Sequence, residues 1–344
     1  MPRSGVSFTS FNLYNLNEPG LPIYNDTDGW PQDVYERKVE WTAAMLRIMR
    51  ADVFGFQELW HADSLTAAIA TAGLDGDYTA IAPVGHAGQK IVCAAAVRSA
   101  ILTGTPTWIE EFPDDFVLRS TGDDRQTGDI EVRINSFSRP ILRLTIKPHQ
   151  AAPEIVVYVC HFKSKAPTRI FREAWYDKDV HGKHSEAIGG ALSTIRRTAE
   201  AMALRLMLTE EMKGTGTPVV VIGDCNDGQH SNTQNILTGQ PRFLTTLSTG
   251  GGDIDLYAAQ TLQQYRSQTD VYYTHVYNDA RESLDHILVS QEFYDNSKRR
   301  IWAFEGLEIN NDHLNFDDHK ESGTSDHGVV RASFVYRPAN SAVA

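Results

Sequence analysis

The sequence predicts a mixed α/β fold of the α+β kind, with two sheets packed face to face and helices outside. Short apolar runs rich in β-branched residues recur along the chain; the purest is Val219–Ile222, introduced by Thr217-Pro218. Segments of helical period alternate with them. Tyr35, Val39, Ala43, Leu46 and Met49 recur at helical spacing within Asp33–Arg50, and Ala191–Met212 is a long amphipathic helix stopped by Lys213-Gly214. No internal repeat or low-complexity tract interrupts this plan, which runs through both halves of the chain.

The elements follow in order. Val6–Leu13 alternates as a strand and carries Asn12 near its end. A loop rich in Pro, Gly, Asp and Asn covers Pro19–Pro31. After the first helix, Asp52–Leu59 is a buried strand ending in Gln57-Glu58, and Asp63–Ala72 is a short Ala-rich helix closed by Gly73. Tyr78–Pro83 and Ile91–Arg98 read as an antiparallel pair, with Thr107–Ile109 a further short strand. Phe112–Asp129 reads as a charged surface loop. Phe137–Ile146 and Glu154–His161 are strands, the second running out into His161-Phe162-Lys163-Ser164. Lys165–Gly189 is a long polar insert beside that strand end, expected to be a substrate-facing lid over residues 165–190. Ser231–Leu237 reads as a helix, Tyr272–Tyr277 and Asp285–Ser290 as strands, Asp312–Asp318 as an acidic loop, and Val329–Tyr336 as the last strand. Residues 1–344 are expected to form a single domain.

Composition narrows the class. The chain has 344 residues, enough for a sizeable core, and is 41% hydrophobic. No apolar run approaches the roughly 20 residues of a membrane span, so no stable membrane insertion is expected. The net charge of −12 argues against a broadly basic nucleic-acid wrapper but leaves room for a cleft that binds phosphate through a metal. Cys93, Cys160 and Cys225 lie in or at the end of apolar runs, with no metal spacing, and read as buried reduced thiols. A cytoplasmic monomer is the expectation, with export by a removed signal as the alternative.

Several strands end in polar residues able to act on phosphate. These are Asn12, Glu58, His161, Asp224 with Asn226, and Asp326 with His327; Asp285 opens a strand. Alone, each also fits a turn former or a solvated strand end. Gly223 is expected to let the backbone approach whatever binds there. Asp224 and Asn226, two apart on extended chain, are expected to share a face, and Asp326 and His327 to point to opposite faces. Lys163 would face the same way as His161 and meet phosphate as a point charge. Among weaker clusters, His181 with His184 fits a solvated loop before a metal pair, and Asp312-His313 with Asp317-Asp318-His319 fits a flexible acidic loop before a second cation site close to Asp326. Arg196-Arg197 fits an ion pair before a reach into the site, and Trp175-Tyr176 fits base stacking or packing of the insert.

Taken together, Phe11-Asn12-Leu13, Phe56-Gln57-Glu58, His161-Phe162-Lys163-Ser164, Gly223-Asp224-Cys225-Asn226, Ser283-Leu284-Asp285-His286-Ile287 and Ser325-Asp326-His327 resemble the endonuclease/exonuclease/phosphatase superfamily, the DNase I-like fold. The resemblance spans Asn12 to His327, and the His161 variant is similar to the DNase I and neutral sphingomyelinase branches. It implies a four-layer α-β-β-α sandwich of two mainly antiparallel sheets, with the site at the strand ends. It implies Glu58 as metal ligand with Asn12 and Asp326 as partners. The ion would be Mg²⁺ or Mn²⁺, with Ca²⁺ as a further candidate. Asp224 would accept the proton of a nucleophilic water, Asn226 hold phosphate or water, and Asp285 orient the His327 imidazolium. His161 would meet phosphate from the opposite side or protonate the leaving oxygen. Which of Asp224, His161 and His327 is base and which is acid stays open at this point. The function expected is a metal-dependent phosphodiesterase, first of all a nuclease. The alternatives are a phosphoesterase for a small or lipid-linked phosphate and an inactive binding module on the same fold.

Overall fold

A computed structural model describes residues 4–24, 27–122, 126–243, 252–267 and 273–339. In chain order the strands are β1 (Gly5–Leu16), β2 (Val53–His61), β3 (Tyr78–Ile81), β4 (Ala87–Arg98), β5 (Leu102–Glu111), β6 (Leu118–Ser120), β7 (Ile130–Val132) and β8 (Ser136–Ile146). They continue as β9 (Ile155–His161), β10 (Val219–Asp224), β11 (Tyr257–Ala258), β12 (His275–Tyr277), β13 (Ala280–Glu282), β14 (Asp285–Val289), β15 (Trp302–Asn310) and β16 (Val329–Tyr336). The α-helices are α1 (Gln32–Met49), α2 (Ala62–Thr71), α3 (Lys178–His181), α4 (Ser185–Met212), α5 (Asn232–Thr238), α6 (Ala259–Arg266) and α7 (His319–Ser322).

Two six-stranded sheets form the body, in the orders β15-β16-β1-β2-β4-β3 and β11-β14-β10-β9-β8-β5. Each is antiparallel except for one inner pair: β1 with β2, and β9 with β10. The largest core lies between the sheets, where Phe8, Val53, Val159, Ile222, Trp302 and Phe334 meet. Burying one such side chain contributes about 1.5–3 kcal/mol, and this layer locks one sheet's register to the other's. A second core packs α4 on the outer face of the β9–β10 sheet through Ala199, Ala203, Leu204 and Leu208. A third packs α1 and α2 on the outer face of the β1–β2 sheet through Ala43, Leu46, Leu65 and Ile69. The expected α-β-β-α sandwich is the observed one. Among the described residues no helix is long and apolar enough to cross a membrane, and the three cysteines are buried and free.

Four local expectations need correction. Part of the loop Phe112–Asp129 is strand: β6 pairs with β7 in a small exposed hairpin, carried by Leu118, Ile130 and Val132; residues 123–125 lie outside the described residues. The long helix starts at Ser185 rather than Ala191, so the insert ends six residues earlier than expected. The strand expected over Tyr272–Tyr277 is seen as His275–Tyr277, Tyr272 lying outside the described residues. The acidic loop Asp312–Asp318 opens with a single 3-10 turn over Asp312–Asn315. The sequence reading had also passed over β11, α6, β15 and α7.

Candidate active site

The topology brings strand ends of both sheets to one rim. Parallel pairing puts the carboxyl ends of β1 and β2 side by side, and likewise β9 and β10, with His161 opposite Asp224 in register. β14 runs antiparallel to β10, so its first residue, Asp285, lies opposite Asp224. β16 runs antiparallel to β1, so the residues just before it, Ser325–His327, return to the same edge; Ser325 Oγ donates to the Asn12 carbonyl at 2.8 Å.

Two bulges aim the first sheet's residues. Pairing of β1 with β2 shifts register between Asn12 and Leu16, and pairing of β2 with β4 shifts between Phe56 and Leu59. Bulges re-aim side chains at strand ends. Glu58 adopts a left-handed backbone with φ 60°, as do Tyr14 and Asn15 with φ 46° and 57°. Such a conformation is uncommon for residues other than glycine and is held here by its surroundings. Glu58 Oε2 accepts from the Asn15 backbone N–H at 3.1 Å.

The side chains then meet across the two sheets. Asn12 Nδ2 donates to Asp224 Oδ2 at 3.2 Å. His161 Nε2 lies 3.5 Å from Asp224 Oδ2 and 3.9 Å from Glu58 Oε1. His327 Nε2 lies 3.8 Å from Asp224 Oδ2, and its Nδ1 is 2.8 Å from Asp285 Oδ2. Asn12, His161, Asp224, Asp285 and His327 are buried, while the Glu58 side chain is 16% exposed. Asp326 joins His327 and the half-buried His275 in a group whose ligand atoms lie within 4.8 Å of one another. Asp224, Asp285 and His327 form a second such group.

Burial raises Glu58, and Asp326 adds to the rise against the opposing pull of His327, Arg139 and Asn12. Burial likewise pushes Asp224 up to about 7, with His327 acting the other way. Burial works against the His327 imidazolium, but Asp285 and Asp224 together outweigh it and hold the group well above the ordinary histidine range. His161 is driven well below that range by burial, then by Arg139, His327 and Lys163. Burial thus favours the neutral ring at His161, whereas the carboxylates beside His327 favour its imidazolium.

Three further geometrical expectations change. β10 stops at Asp224, and Asn226 turns left-handed with φ 52° rather than continuing on the same face. Its backbone N–H donates to Asp224 Oδ1 at 2.8 Å and its Nδ2 to the Phe162 carbonyl at 3.0 Å, so it braces Asp224 against the end of β9. Asp326 and His327 precede β16 and both turn into the site instead of alternating. β9 ends at His161, so Lys163 lies beyond it; its Nζ donates to Ser164 Oγ at 3.2 Å and the Ala166 carbonyl at 3.3 Å, while its backbone N–H donates to the buried Glu200 at 2.7 Å. Gly223 does serve close approach, but to protein: a Cβ there would lie 2.2 Å from the Cys160 carbonyl on β9.

The weaker clusters resolve as support. Arg197 is buried, 3.4 Å from Asp227 and 3.1 Å from the Lys163 carbonyl. His313 Nε2 lies 2.9 Å from the His327 carbonyl, and His319 Nδ1 2.9 Å from Thr324 Oγ1. His181 accepts from the Asp177 N–H at 2.8 Å with its ring edge-on to Trp175.

Three residues of the neighbourhood went unassigned in the sequence reading. Arg139, at the start of β8, donates to the Phe162 carbonyl at 3.1 Å, and its charge acts on Glu58, His161 and Tyr24. Lys38 is buried in α1, its Nζ 5.0 Å from the Tyr14 ring centroid and 4.7 Å from that of Trp30. Burial lowers it to about 7, against the pull of Asp326 and Glu58. Its signal was a charge on the apolar stripe, four residues after Val34 and four before Thr42. His275, within the expected strand Tyr272–Tyr277, carries no sequence signal that sets it apart.

The oxygens of Asn12, Glu58 and Asp326 suit a hard divalent cation. Burial and the neighbouring Asp326 charge both raise Glu58, which marks a place short of positive charge that such an ion would supply.

A profile of the Endonuclease/Exonuclease/phosphatase family matches residues 9–327. No curated protein sequence matches the chain. Among solved structures, a Bacteroides thetaiotaomicron protein of this family superposes with a TM-score of 0.55 at 15% identity, covering 97% of this chain and 98% of that one. The human Nocturnin catalytic domain with bound sulfate gives 0.56 at 14% identity, with coverage of 97% and 96%. A mannosyl-6-phosphatase from Bacteroides thetaiotaomicron gives 0.54 at 16% identity, with coverage of 96% and 100%. The chain belongs to the endonuclease/exonuclease/phosphatase family of metal-dependent phosphoric ester hydrolases.

Proposed function

We propose that the protein hydrolyses phosphodiester bonds of compact or single-stranded substrates, as a nuclease-type phosphodiesterase using Mg²⁺ or Mn²⁺. The observation that carries this is the convergence of His161, Asp224, Asp285 and His327 across the two sheets, within 4 Å from partner to partner. Asp224, raised to about 7, is poised to take a proton from an attacking water at neutral pH. The His327 imidazolium, oriented by Asp285, donates to a phosphoryl oxygen. Neutral His161 hydrogen-bonds the phosphoryl group from the other side, with Arg139 supplying charge. Asn12, Glu58 and Asp326 hold the divalent ion, which supplies neutralisation of the phosphoryl charge when bound.

The preference for compact substrates rests on surface and shape. A net charge of −12 gives little attraction for long duplex DNA. A cavity of about 640 Å³ beside Asn15 is bordered by Tyr14, Tyr24 and Trp30, with Arg37 and Lys320 at its edge. Tyr24 is 48% exposed and offers a ring for a base or sugar. The same cavity fits a single sugar phosphate, which makes phosphomonoester hydrolysis the second reading. A substrate panel with Mg²⁺ and Mn²⁺ tests both: single- and double-stranded DNA, RNA, cyclic nucleotides, sphingomyelin, inositol and sugar phosphates, and bis(p-nitrophenyl) phosphate. Single-stranded or small diesters should lead. Turnover confined to monoesters would overturn the diester reading.

A further inference from the structure

We infer that His275, Asp326 and His327 form a second site for a zinc-class divalent ion, adjoining the Mg²⁺ set and sharing Asp326 with it, and that an ion held there switches the enzyme off by capturing His327. The three residues offer ligand atoms within 4.8 Å of one another, and Glu58 is not among them. Two imidazoles and one carboxylate are a set of three that leaves a fourth position open on zinc. Imidazole nitrogen favours zinc, nickel and copper, whereas Mg²⁺ favours oxygen, so the two histidines select a different ion from the oxygen set around Glu58, although Asp326 belongs to both groups.

Local structure prepares both histidines. His327 Nδ1 faces Asp285 Oδ2 at 2.8 Å, which leaves Nε2, 3.8 Å from Asp224 Oδ2, as the nitrogen to offer an ion. A ligating histidine commonly places its other N–H on a carboxylate in this way, which fixes the ring and raises its basicity. The His275 ring makes no hydrogen bond among the described residues and is half-buried. Its backbone is bridged antiparallel to His327, and the Gly328 N–H donates to the Thr274 carbonyl at 2.7 Å. The two rings consequently sit 4.9 Å apart between centroids, inclined at 47°. Ligands at about 2.0–2.1 Å from a tetrahedral zinc lie about 3.4 Å apart, so a side-chain adjustment on the order of 1 Å closes the group. An ion on Nε2 occupies the lone pair that would carry the proton presented to phosphate, so binding and catalysis compete for one atom.

The test titrates Zn²⁺ calorimetrically into metal-stripped protein in excess Mg²⁺, and in parallel follows Mg²⁺-supported hydrolysis of bis(p-nitrophenyl) phosphate with added Zn²⁺. Wild type should bind Zn²⁺ despite the Mg²⁺ and lose turnover over the same range. His275→Gln should weaken binding and inhibition together by about 10–100-fold, and His275→Cys, which keeps a zinc ligand, should restore both. Turnover without Zn²⁺ should be unchanged in both variants, since His275 has no part in the catalytic steps above. Equal Zn²⁺ affinity in wild type and His275→Gln would overturn the inference. The calorimetry needs no substrate, so a failure of the diester reading on the panel leaves this result readable on its own.

Discussion

Replacing Asp285 by Asn isolates the charge that keeps His327 protonated. The substitution is nearly isosteric, and Asp285 Oδ1 has no hydrogen-bond partner among the described residues, so little other than charge is lost. The Nδ1–Oδ2 contact is 2.8 Å and buried. A hydrogen bond to a charged group of this kind contributes about 1.5–3 kcal/mol. Removing that charge lowers the His327 pKa back towards the ordinary histidine range. The sign follows from the direction of the shift. A histidine raised in the folded state contributes stability that is fully present below its unfolded pKa and is lost as pH rises through the folded value. Asp285→Asn lowers the folded value, so the alkaline limb of stability and of activity both move to lower pH. Loss of a positioned acid also lowers kcat by about 10²–10⁴-fold. Titration of the His327 ring by NMR in metal-stripped protein reads the pKa, and a pH–rate profile with Mg²⁺ reads its consequence. An unmoved His327 titration in a folded Asp285→Asn protein would refute the account of this pair.

Glu58→Gln should abolish Mg²⁺ or Mn²⁺ binding by calorimetry along with hydrolysis; because burial raises this carboxyl, the same change should raise the Tm of metal-free protein at neutral pH. Gly223→Ala forces a Cβ against the Cys160 carbonyl and should destabilise by about 1–3 kcal/mol, with activity falling as His161 and Asp224 are prised apart; wild-type Tm and kcat together would contradict the packing. Arg139→Met removes the charge that we place beside the phosphoryl group and should lower kcat/KM by about 10–100-fold, a loss absent for a neutral competitive ligand. Lys38 sits at about 7 when folded, below its unfolded value, so wild-type stability should rise with pH from neutrality upward; Lys38→Met should flatten that slope in chemical denaturation.

Much of the fold and of the site is legible in the sequence. The strands that build the site are largely buried and carry Val, Ile and Phe; β9 and β10 advertise their ends by an abrupt polar residue, at His161 and Asp224, while β1 and β2 run on past Asn12 and Glu58 to Leu16 and His61. The elements passed over lack such marks. β15 alternates, but its register slips between Phe304 and Gly306, which breaks the period over nine residues. The first turns of α4 were hidden by Gly189-Gly190, normally a stop signal. Gly189 is needed because a Cβ there would lie 2.3 Å from the Thr168 carbonyl, where the insert is seated on the helix. Asn226 was misplaced because a period of two holds only while the strand lasts, and the chain leaves it at Asp224. Arg139 gave no sign, since a lone arginine in an alternating strand is ordinary until the fold brings it to Glu58.

The link between Asn12 and Asp224 joins residues 212 positions apart on opposite sheets. It acts as a clasp whose 3.2 Å length tolerates almost no slippage of one slab over the other. Catalysis therefore reports the cohesion of the whole sandwich. Loosening the inner layer far from the rim should silence the enzyme while each half still keeps its strands.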